Sequence, residues 1–386
     1  MESQSGLALH KRLNIRNINF RTMTMVFALA VIFLIFTIMT GGTFFSPRNL
    51  SMLFRAMSIT GVITSAMVLL IVSGNFDLAV GSAVGLSSGV AAVLQVWYGV
   101  STPLAILSAV VVGVSIGLWQ GFWVAYRRVP SFIVTLGNMM AVRGVFLVIT
   151  EGITITPLKS DFSAISQSFV PGIWNYLLGA LAIVAVIVLA FQRRSSRARY
   201  GFEVGPIWRT LLIIVIGTGL ITAFVLLMVG FRGIPTPVVI LIGVVLIFTF
   251  IAQKTRFGRR VYAIGGNNEA AKLAGINVKR HVLVLYVLTG ILSAVSGIML
   301  ASRMDGAVSA AGQSFEMDVI SACVIGGTSL SGGKGTIFGA LVGALIIASL
   351  DNGMSLLNVT HYYQSIVKGL VLILAVWFDV ATQKKA

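Results

Sequence analysis

The sequence predicts an all-α integral membrane protein, a polytopic helical bundle of about 10–12 transmembrane helices with Gly-rich broken or re-entrant segments and both termini cytoplasmic. The 386 residues are 57% hydrophobic and 10% charged, with a mean hydropathy of +0.97. Soluble proteins are about 45–50% apolar and about 25% charged. Apolar runs of about 20 residues recur along the chain. This composition excludes a soluble enzyme, a disordered protein, a coiled coil and a disulfide scaffold.

The individual spans follow from the length of each apolar run, because the bilayer core needs about 20 mostly apolar residues per helix. In order, they lie near residues 23–41, 52–73, 78–98, 103–126, 131–150, 172–191, 209–230, 235–252, 281–302, 317–330, 336–351 and 363–380. The first run follows basic residues as a signal peptide would, but its length of about 18 residues favours a retained span. Segments 78–98 and 317–330 are Gly-interrupted and could be half-spans or broken helices.

The charge distribution predicts the orientation. The chain has 28 Lys and Arg residues against 11 Asp and Glu, a net charge of +17. With an internal N-terminus and twelve crossings, 21 basic residues fall in inner loops and five in outer loops, while Arg143 and Lys368 lie within spans. Such asymmetry is typical of cytoplasmic loops. It therefore indicates topology and not a nucleic-acid partner.

Three runs of glycine with a spacing of four residues predict close helix packing, since they put small residues on one helix face. They are Gly81, Gly85 and Gly89; Gly113, Gly117 and Gly121; and Gly335, Gly339 and Gly343. Polar, Gly-containing interruptions at residues 73–78 and 326–333 precede the first and last of these runs. Paired interruptions of this kind indicate internal repeats with a pathway at the repeat interface.

Irregular backbone at membrane depth must line a cavity or be buried in protein, so the interruptions are candidates for a translocation pathway. The polar residues at or near them are Asn75, Asp77, Ser82, Asn138, Ser329 and Asn352. Asp77 has a second interpretation, as the cap of the helix that begins near Leu78. The acids Glu316, Asp318 and Asp351 flank spans and are expected to be interfacial.

The longest inner loop, residues 253–280, predicts a short surface helix. Asn267 or Asn268 can cap it, Glu269 suits its positive first turn, and Gly275 ends it. Its small apolar face would consist of Ala270, Ala271, Leu273 and Ala274. On these residues alone, the loop is either a contact element or a solvated connector.

Glu269-Ala270-Ala271 followed by Gly275 resembles the EAA-type loop of ABC importer permeases, whose short helix docks into the ATPase subunit. The preceding segment, Gly258 to Asn267, is similar to the sugar-permease branch of that superfamily, which imports ribose, arabinose, xylose and galactose. Residues 73–86, 129–137, 233–238, 325–343 and 349–355 agree with the same branch. The chain is most like the xylose-type members, because ribose-type permeases lack a counterpart of residues 172–230.

The resemblance implies a single transmembrane permease domain over residues 1–386, with a cytoplasmic tail (1–22), an extra helix pair (172–230) and a cytoplasmic coupling loop (253–280). It implies a bacterial inner-membrane subunit that moves a monosaccharide. The substrate that the resemblance favours is D-xylose. The expected partners are an ABC ATPase, a periplasmic sugar-binding protein and a second permease subunit in a homodimer. The residues expected to contact the ATPase are Asn267, Asn268, Glu269, Ala270, Ala271, Leu273 and Gly275.

No catalytic residue, metal or cofactor is expected. The stretch 327–336 is only a near miss to a Walker A motif, because extra glycines flank Lys334. His10, His281 and His361 are too far apart in sequence to suggest a metal site, and Cys323 is expected to be a packing residue. The outer loops 151–170 and 303–316 are expected to receive the binding protein.

Three alternatives remain open. An ion-coupled secondary transporter would need paired ionisable groups within spans, and neither Arg143 nor Lys368 has an acidic partner in its own span. A membrane-embedded enzyme would need an acid–base or metal set. A branched-chain amino-acid ABC permease shares the Gly-rich C-terminal pattern, although residues 258–278 favour the sugar type.

Overall fold

The computed structural model describes residues 20–202 and 204–383, and it describes side chains from residue 24 to residue 377 apart from residue 203. Within these residues all regular structure is helical, and the β contacts are two isolated bridges, Ile155 with Ala307 and Phe169 with Pro235. Eight helices are long and apolar enough to span a membrane. The chain is therefore a multi-pass helical membrane protein, as predicted.

Fifteen α-helices follow one another in the described residues. They are α1 (Phe20–Met39), α2 (Pro47–Val72), α3 (Val80–Val96), α4 (Thr102–Ala125), α5 (Ser131–Ile149), α6 (Ser160–Gln167), α7 (Trp174–Arg199), α8 (Ile207–Val229), α9 (Thr236–Lys254), α10 (Arg256–Gly266), α11 (Asn268–Leu273), α12 (Val278–Met304), α13 (Phe315–Ile325), α14 (Ile337–Leu356) and α15 (His361–Gln383), with a single 3-10 turn at Thr43–Phe45. Each of the twelve predicted spans corresponds to one helix. Of the predicted tail, 1–22, residues 1–19 lie outside the described residues. Residues 20–22 belong to α1.

The connections gather at two ends of the bundle. At one end the Gly333 N–H donates to Val72 O, the Tyr262 hydroxyl to Gly335 O and the Tyr286 hydroxyl to Phe76 O, each at 2.8 Å. The connections that lie there are 73–79, 126–130, 200–206, 255–277 and 326–336. They and the adjoining helix ends carry fifteen of the described basic residues, so we call this the basic end.

At the opposite end lie the connections 40–46, 97–101, 150–173, 230–235, 305–314 and 357–360. Lys159 Nζ donates to Gly99 O at 2.8 Å and to Val100 O at 2.9 Å, which joins two of these connections. This end and the adjoining helix turns carry five basic residues, Arg48, Arg55, Lys159, Arg232 and Arg303. The predicted charge asymmetry is therefore an asymmetry of the folded molecule.

The helices α2 and α12 form the centre of the bundle. The apolar stretches of α2 and α12 are 83% and 67% buried, whereas those of α7 and α8 are 11% buried. A Cβ on Gly113 of α4 would lie 2.8 Å from the Cβ of Ala294, and one on Gly290 of α12 would lie 3.0 Å from the carbonyl carbon of Gly113. These distances confirm close packing at a small-residue run, because a larger side chain would separate the two helices.

Both Gly-interrupted segments form helices too short to cross a bilayer. The 17 residues of α3 and the 11 residues of α13 rise about 25 Å and about 16 Å, against a hydrocarbon thickness of about 30 Å. Their first turns meet where Gly81 packs against Gly312 and Glu316. Segments 78–98 and 317–330 are therefore broken helices that share a junction. Cys323 is buried in α13 with Sγ 3.9 Å from Thr64 O of α2, which confirms the predicted packing role.

Candidate coupling surface and translocation pathway

The short surface helix expected in the inner loop is α11, and its first turn is capped as predicted. Asn267 adopts extended backbone angles, and its Oδ1 accepts a hydrogen bond from the Ala270 N–H at 3.0 Å. Glu269 lies in the first turn and forms an ion pair of 2.7 Å with Lys272. The cap satisfies a backbone donor that a helix otherwise leaves open.

The C-terminus of α11 ends at Gly275 in a Schellman arrangement. The Gly275 N–H donates to Lys272 O at 2.9 Å, and the Ile276 N–H donates to Ala271 O at 3.0 Å. Gly275 has a φ of +77°, which glycine adopts at little cost. The chain therefore leaves α11 in a tight reversal and enters α12 three residues later.

Most of α11 projects away from the bundle. Ala271 is 4% exposed and faces inward, whereas Leu273 is 90% exposed. Asn267, Asn268, Glu269, Ala270 and Gly275 are also exposed. Leu273 is therefore an exposed apolar side chain on a helix that is capped at both ends. We call the exposed residues from Asn267 to Gly275 the coupling surface.

The helix α10, which precedes this surface, was not predicted from the sequence. Val261 and Ile264 are buried in the core, and Thr255 caps the helix by accepting the Gly258 N–H at 3.1 Å. Burial raises the pKa of the Tyr262 hydroxyl, which stays protonated and donates to Gly335 O. The spacing of Phe257, Val261 and Ile264 is the signal that would have revealed this helix.

The pathway candidates Asn75 and Asp77 lie in the break between α2 and α3. Asp77 is 3% exposed, and its Oδ1 accepts the Ala79 N–H at 2.8 Å and Gln120 Nε2 at 3.2 Å. Asn75 Nδ2 donates to Ser73 Oγ at 3.0 Å. Asp77 therefore connects the N-terminus of α3 to Gln120 of α4 by hydrogen bonds. This is the capping interpretation in a modified form, since the helix cap position itself is Ala79.

Ser82 and Asn138 come together between α3 and α5. Ser82 Oγ donates to Met139 O at 2.8 Å, next to Asn138 in the chain. Asn138 is 8% exposed, and its Nδ2 has no hydrogen-bond partner among the described residues. A buried amide donor without a partner costs about 1–3 kcal/mol. Among the pathway candidates in the described residues, Asn138 is thus the one with an unpaired buried donor.

The remaining two candidates lie elsewhere. Ser329 is buried in the 326–336 loop at the basic end, where its N–H donates to Lys334 O at 2.9 Å. Asn352 lies near the opposite end of α14 and exchanges two hydrogen bonds, of 2.8 and 3.0 Å, with Asn49 of α2. The structure therefore places Asn352 at the opposite end of the bundle from Asp77, and the assignment of Ser329 and Asn352 to a pathway stays a prediction.

The two basic residues within spans have partners from other elements. Arg143 of α5 donates to Ser309 O at 2.6 Å and to Ala311 O at 2.7 Å, so it fixes the loop before α13. Lys368 of α15 contacts Asp318 of α13 and Asp351 of α14. The two acids, expected to be interfacial, pack against this lysine because α13, α14 and α15 meet there. Such pairing lowers the cost of a charge at membrane depth.

The outer loops 151–170 and 303–316 form one surface at the end opposite to the basic end. Ile155 and Ala307 exchange backbone hydrogen bonds of 3.0 Å, and Thr156 Oγ1 donates to Asp305 O at 2.7 Å. The helix α6, which the sequence analysis did not predict, docks on α12 through Ser166 Oγ and Met299 O at 2.8 Å. In the part of the chain that the structure describes, no group of three His, Cys, Asp or Glu residues could hold a metal ion.

The fold is that of an integral-membrane transport permease, since it is a helical bundle with broken half-helices. An exposed, capped helix, α11, lies at its basic end. Residues 49–376 match the family described as branched-chain amino acid transport system / permease component. The chain belongs to this family of membrane transport subunits, which are permeases of ABC transport systems and not enzymes.

Three relatives illustrate the similarity. The chain is 42% identical over 371 residues to the xylose transport system permease protein of Haemophilus influenzae, covering 96% of this chain and 99% of the relative. It is 44% identical over 377 residues to that of Escherichia coli K12, covering 96% and 95%. It is 35% identical over 337 residues to the ribose import permease protein of Bacillus subtilis, covering 87% and 86%. No solved structure matched the chain.

Proposed function

We propose that the chain is the permease subunit of an ABC importer that carries a monosaccharide, D-xylose, across the bacterial inner membrane. The observation that carries this proposal is the identity of 42% and 44% to two xylose permeases over 96% of the chain. The basic end would face the cytoplasm with both termini, because cytoplasmic connections collect Lys and Arg. The whole chain acts as one permease domain, and α7 with α8 is its extra helix pair.

A separate ABC ATPase drives transport and docks on the coupling surface. The support is the exposure of Leu273 and the rigid capping of α11 at both ends. Motion of α11 would be transmitted to the core through α10. The Tyr262 hydroxyl of α10 donates a hydrogen bond to Gly335 O, and the Gly333 N–H of the same loop donates to Val72 O at the end of α2. The same contacts connect α10 to the loop that joins the half-helix α13 to α14, so ATPase movement can alter the central junction.

The sugar passes near the junction of α3 and α13. Asp77, Ser82 and Asn138 are the pathway residues with the strongest geometric support, since they surround the α3 entry and Asn138 retains a free donor. The joined outer loops 151–170 and 303–316 receive a periplasmic sugar-binding protein. A second copy of the permease completes the pore, and selectivity resides mainly in the binding protein.

The test is uptake of labelled D-xylose into proteoliposomes that hold the permease with the ATPase and binding protein of the same transport system. Uptake that requires ATP and both partners, and that persists when ionophores collapse all ion gradients, supports the proposal. Uptake that follows the gradients without the ATPase would overturn it in favour of a secondary transporter. Competition by leucine and not by xylose would instead identify a branched-chain amino-acid permease.

A further inference from the structure

A cavity of about 440 Å³ lies beside the coupling surface at the basic end. It is lined by Phe257, Arg260, Gly275, Asn277, Arg280, His281 and Val284. These residues come from α10, from the turn that follows α11 and from the first two turns of α12. A protein that seats on Leu273 would also cover this cavity, because Gly275 and Asn277 belong to the turn that leaves α11.

The cavity is positively charged and has no internal counter-ion. In the described residues neither the Arg260 nor the Arg280 guanidinium has a hydrogen bond or an ion pair within the chain. Both residues are exposed. The exposed acid of the neighbouring helix, Glu269, is engaged by Lys272 at 2.7 Å. Two unpaired guanidinium groups at one cavity form a site for an anion, and carboxylates are their preferred partners in proteins.

Two rings and an aliphatic side chain also line the cavity. Phe257 stacks on His281 with ring centroids 5.3 Å apart. His281 Nδ1 lies 2.7 Å from Asn277 O, and since a carbonyl oxygen only accepts, Nδ1 carries the proton. Val284 adds apolar surface next to these rings. The volume therefore admits an acidic side chain together with an apolar neighbour that packs on Phe257.

We infer that this cavity is a socket for an acidic segment of the ATPase subunit, in which a carboxylate pairs with Arg260 and Arg280. The inference rests on the proposed function and adds the chemistry of the docking contact. The continuity of the cavity with the exposed Leu273 favours a protein segment, since an anionic lipid would satisfy the charge of the cavity but has no use for Leu273. The socket would orient the ATPase on α11, because a bidentate charge pair fixes direction as well as distance.

The experiment compares the double variant Arg260→Glu, Arg280→Glu with the wild type in detergent-solubilised permease that binds its purified ATPase. Apparent affinity is expected to fall at least about tenfold, and the salt dependence seen for the wild type should disappear. The matched control is the double variant Arg256→Glu, Arg259→Glu, which makes the same total charge change in α10 at two exposed arginines that do not line the cavity. Unchanged affinity and salt dependence in the double variant would overturn the socket.

Two further arms separate the possible outcomes. A photo-crosslinking residue at Asn277 in the reconstituted transporter should label an ATPase peptide that contains Asp or Glu, whereas labelling of phospholipid would replace the socket with a lipid site. Leu273→Asp tests the docking surface itself. Loss of ATPase binding in Leu273→Asp with normal binding in the double variant rejects the socket and keeps the proposed function. Normal binding in both rejects the ATPase docking assignment as well.

Discussion

Lys368 Nζ lies 2.8 Å from Asp318 Oδ1, and this ion pair connects α15 to the half-helix α13. Asp351 of α14 shares the ammonium at 3.3 Å. Lys368 and Asp318 are 17% and 16% exposed, so water screens them poorly. Most of the other described side chains of α15 are exposed, so this triad is its main buried polar contact.

Lys368→Met should destabilise the protein by about 3–5 kcal/mol, because it leaves two carboxylates facing each other without a cation. Thermal unfolding of purified permease in detergent would measure the loss. The triple variant Lys368→Met, Asp318→Asn, Asp351→Asn should recover most of it. Lys272→Met removes the exposed ion pair with Glu269 and should change stability by no more than about 1 kcal/mol. Equal effects of the two single substitutions would contradict the structural role of the triad.

Gly275→Pro should uncouple ATP hydrolysis from transport while the protein still folds and inserts. Proline cannot adopt the φ of +77°, and it removes the N–H that donates to Lys272 O. The matched control is Gly266→Ala in α10, where an added Cβ has no neighbour within 4 Å. ATP-driven sugar uptake and ATPase activity should be measured on the same vesicles. Normal coupling in Gly275→Pro would argue against α11 as the coupling element.

Gly113→Val and Gly290→Val should each destabilise the bundle, because the α4 and α12 backbones touch at these glycines. Overpacking of this kind costs about 1–3 kcal/mol. Gly219→Ala in α8, where nothing lies within 4 Å of an added Cβ, should have no such effect. Melting temperatures in detergent distinguish the sites, and equal shifts at Gly113 and Gly219 would show that the close approach is unimportant.

Asp77→Asn should preserve folding, whereas Asp77→Leu should not. A single oxygen, Oδ1, accepts both the Ala79 N–H and Gln120 Nε2, and an amide oxygen can replace it. Leucine leaves two buried donors unpaired, at about 1–3 kcal/mol each. Folded yield and sugar uptake should be compared for the two variants. If Asp77→Asn folds normally but loses uptake, the carboxylate charge itself serves the pathway.

Excision of α7 and α8 should leave a folded, inserted protein. The Val170 N–H donates to Ile234 O at 2.8 Å, so the ends of the excised segment, 171–233, are already adjacent. Removing two spans preserves the orientation of every other helix. Some stability is lost because Val225 and Met228 of α8 pack near Leu50 of α2. Protease accessibility of the remaining loops would check topology, and an inverted or aggregated product would show that the pair is integral to the fold.

Local patterns were sufficient for the elements and for the coupling helix. Every span was predictable because the length of an apolar run reflects bilayer thickness. The cap at Asn267 and the reversal at Gly275 were predictable because capping involves residues three or four positions apart. The helix α10 was overlooked because its apolar spacing lies within a basic loop, where the charges dominate the pattern.

Contacts between segments that are far apart in the chain could not be predicted from local sequence patterns. The Lys368–Asp318 pair spans 50 residues and the Asp77–Gln120 pair spans 43, and no short-range pattern specifies such pairs.

The sequence by itself therefore determined the membrane class, the family and the charged end, since these depend on composition and local order. Only the tertiary structure decided which charges meet, where α3 joins α13 and where the arginine-lined cavity opens, because those features depend on how separate helices pack.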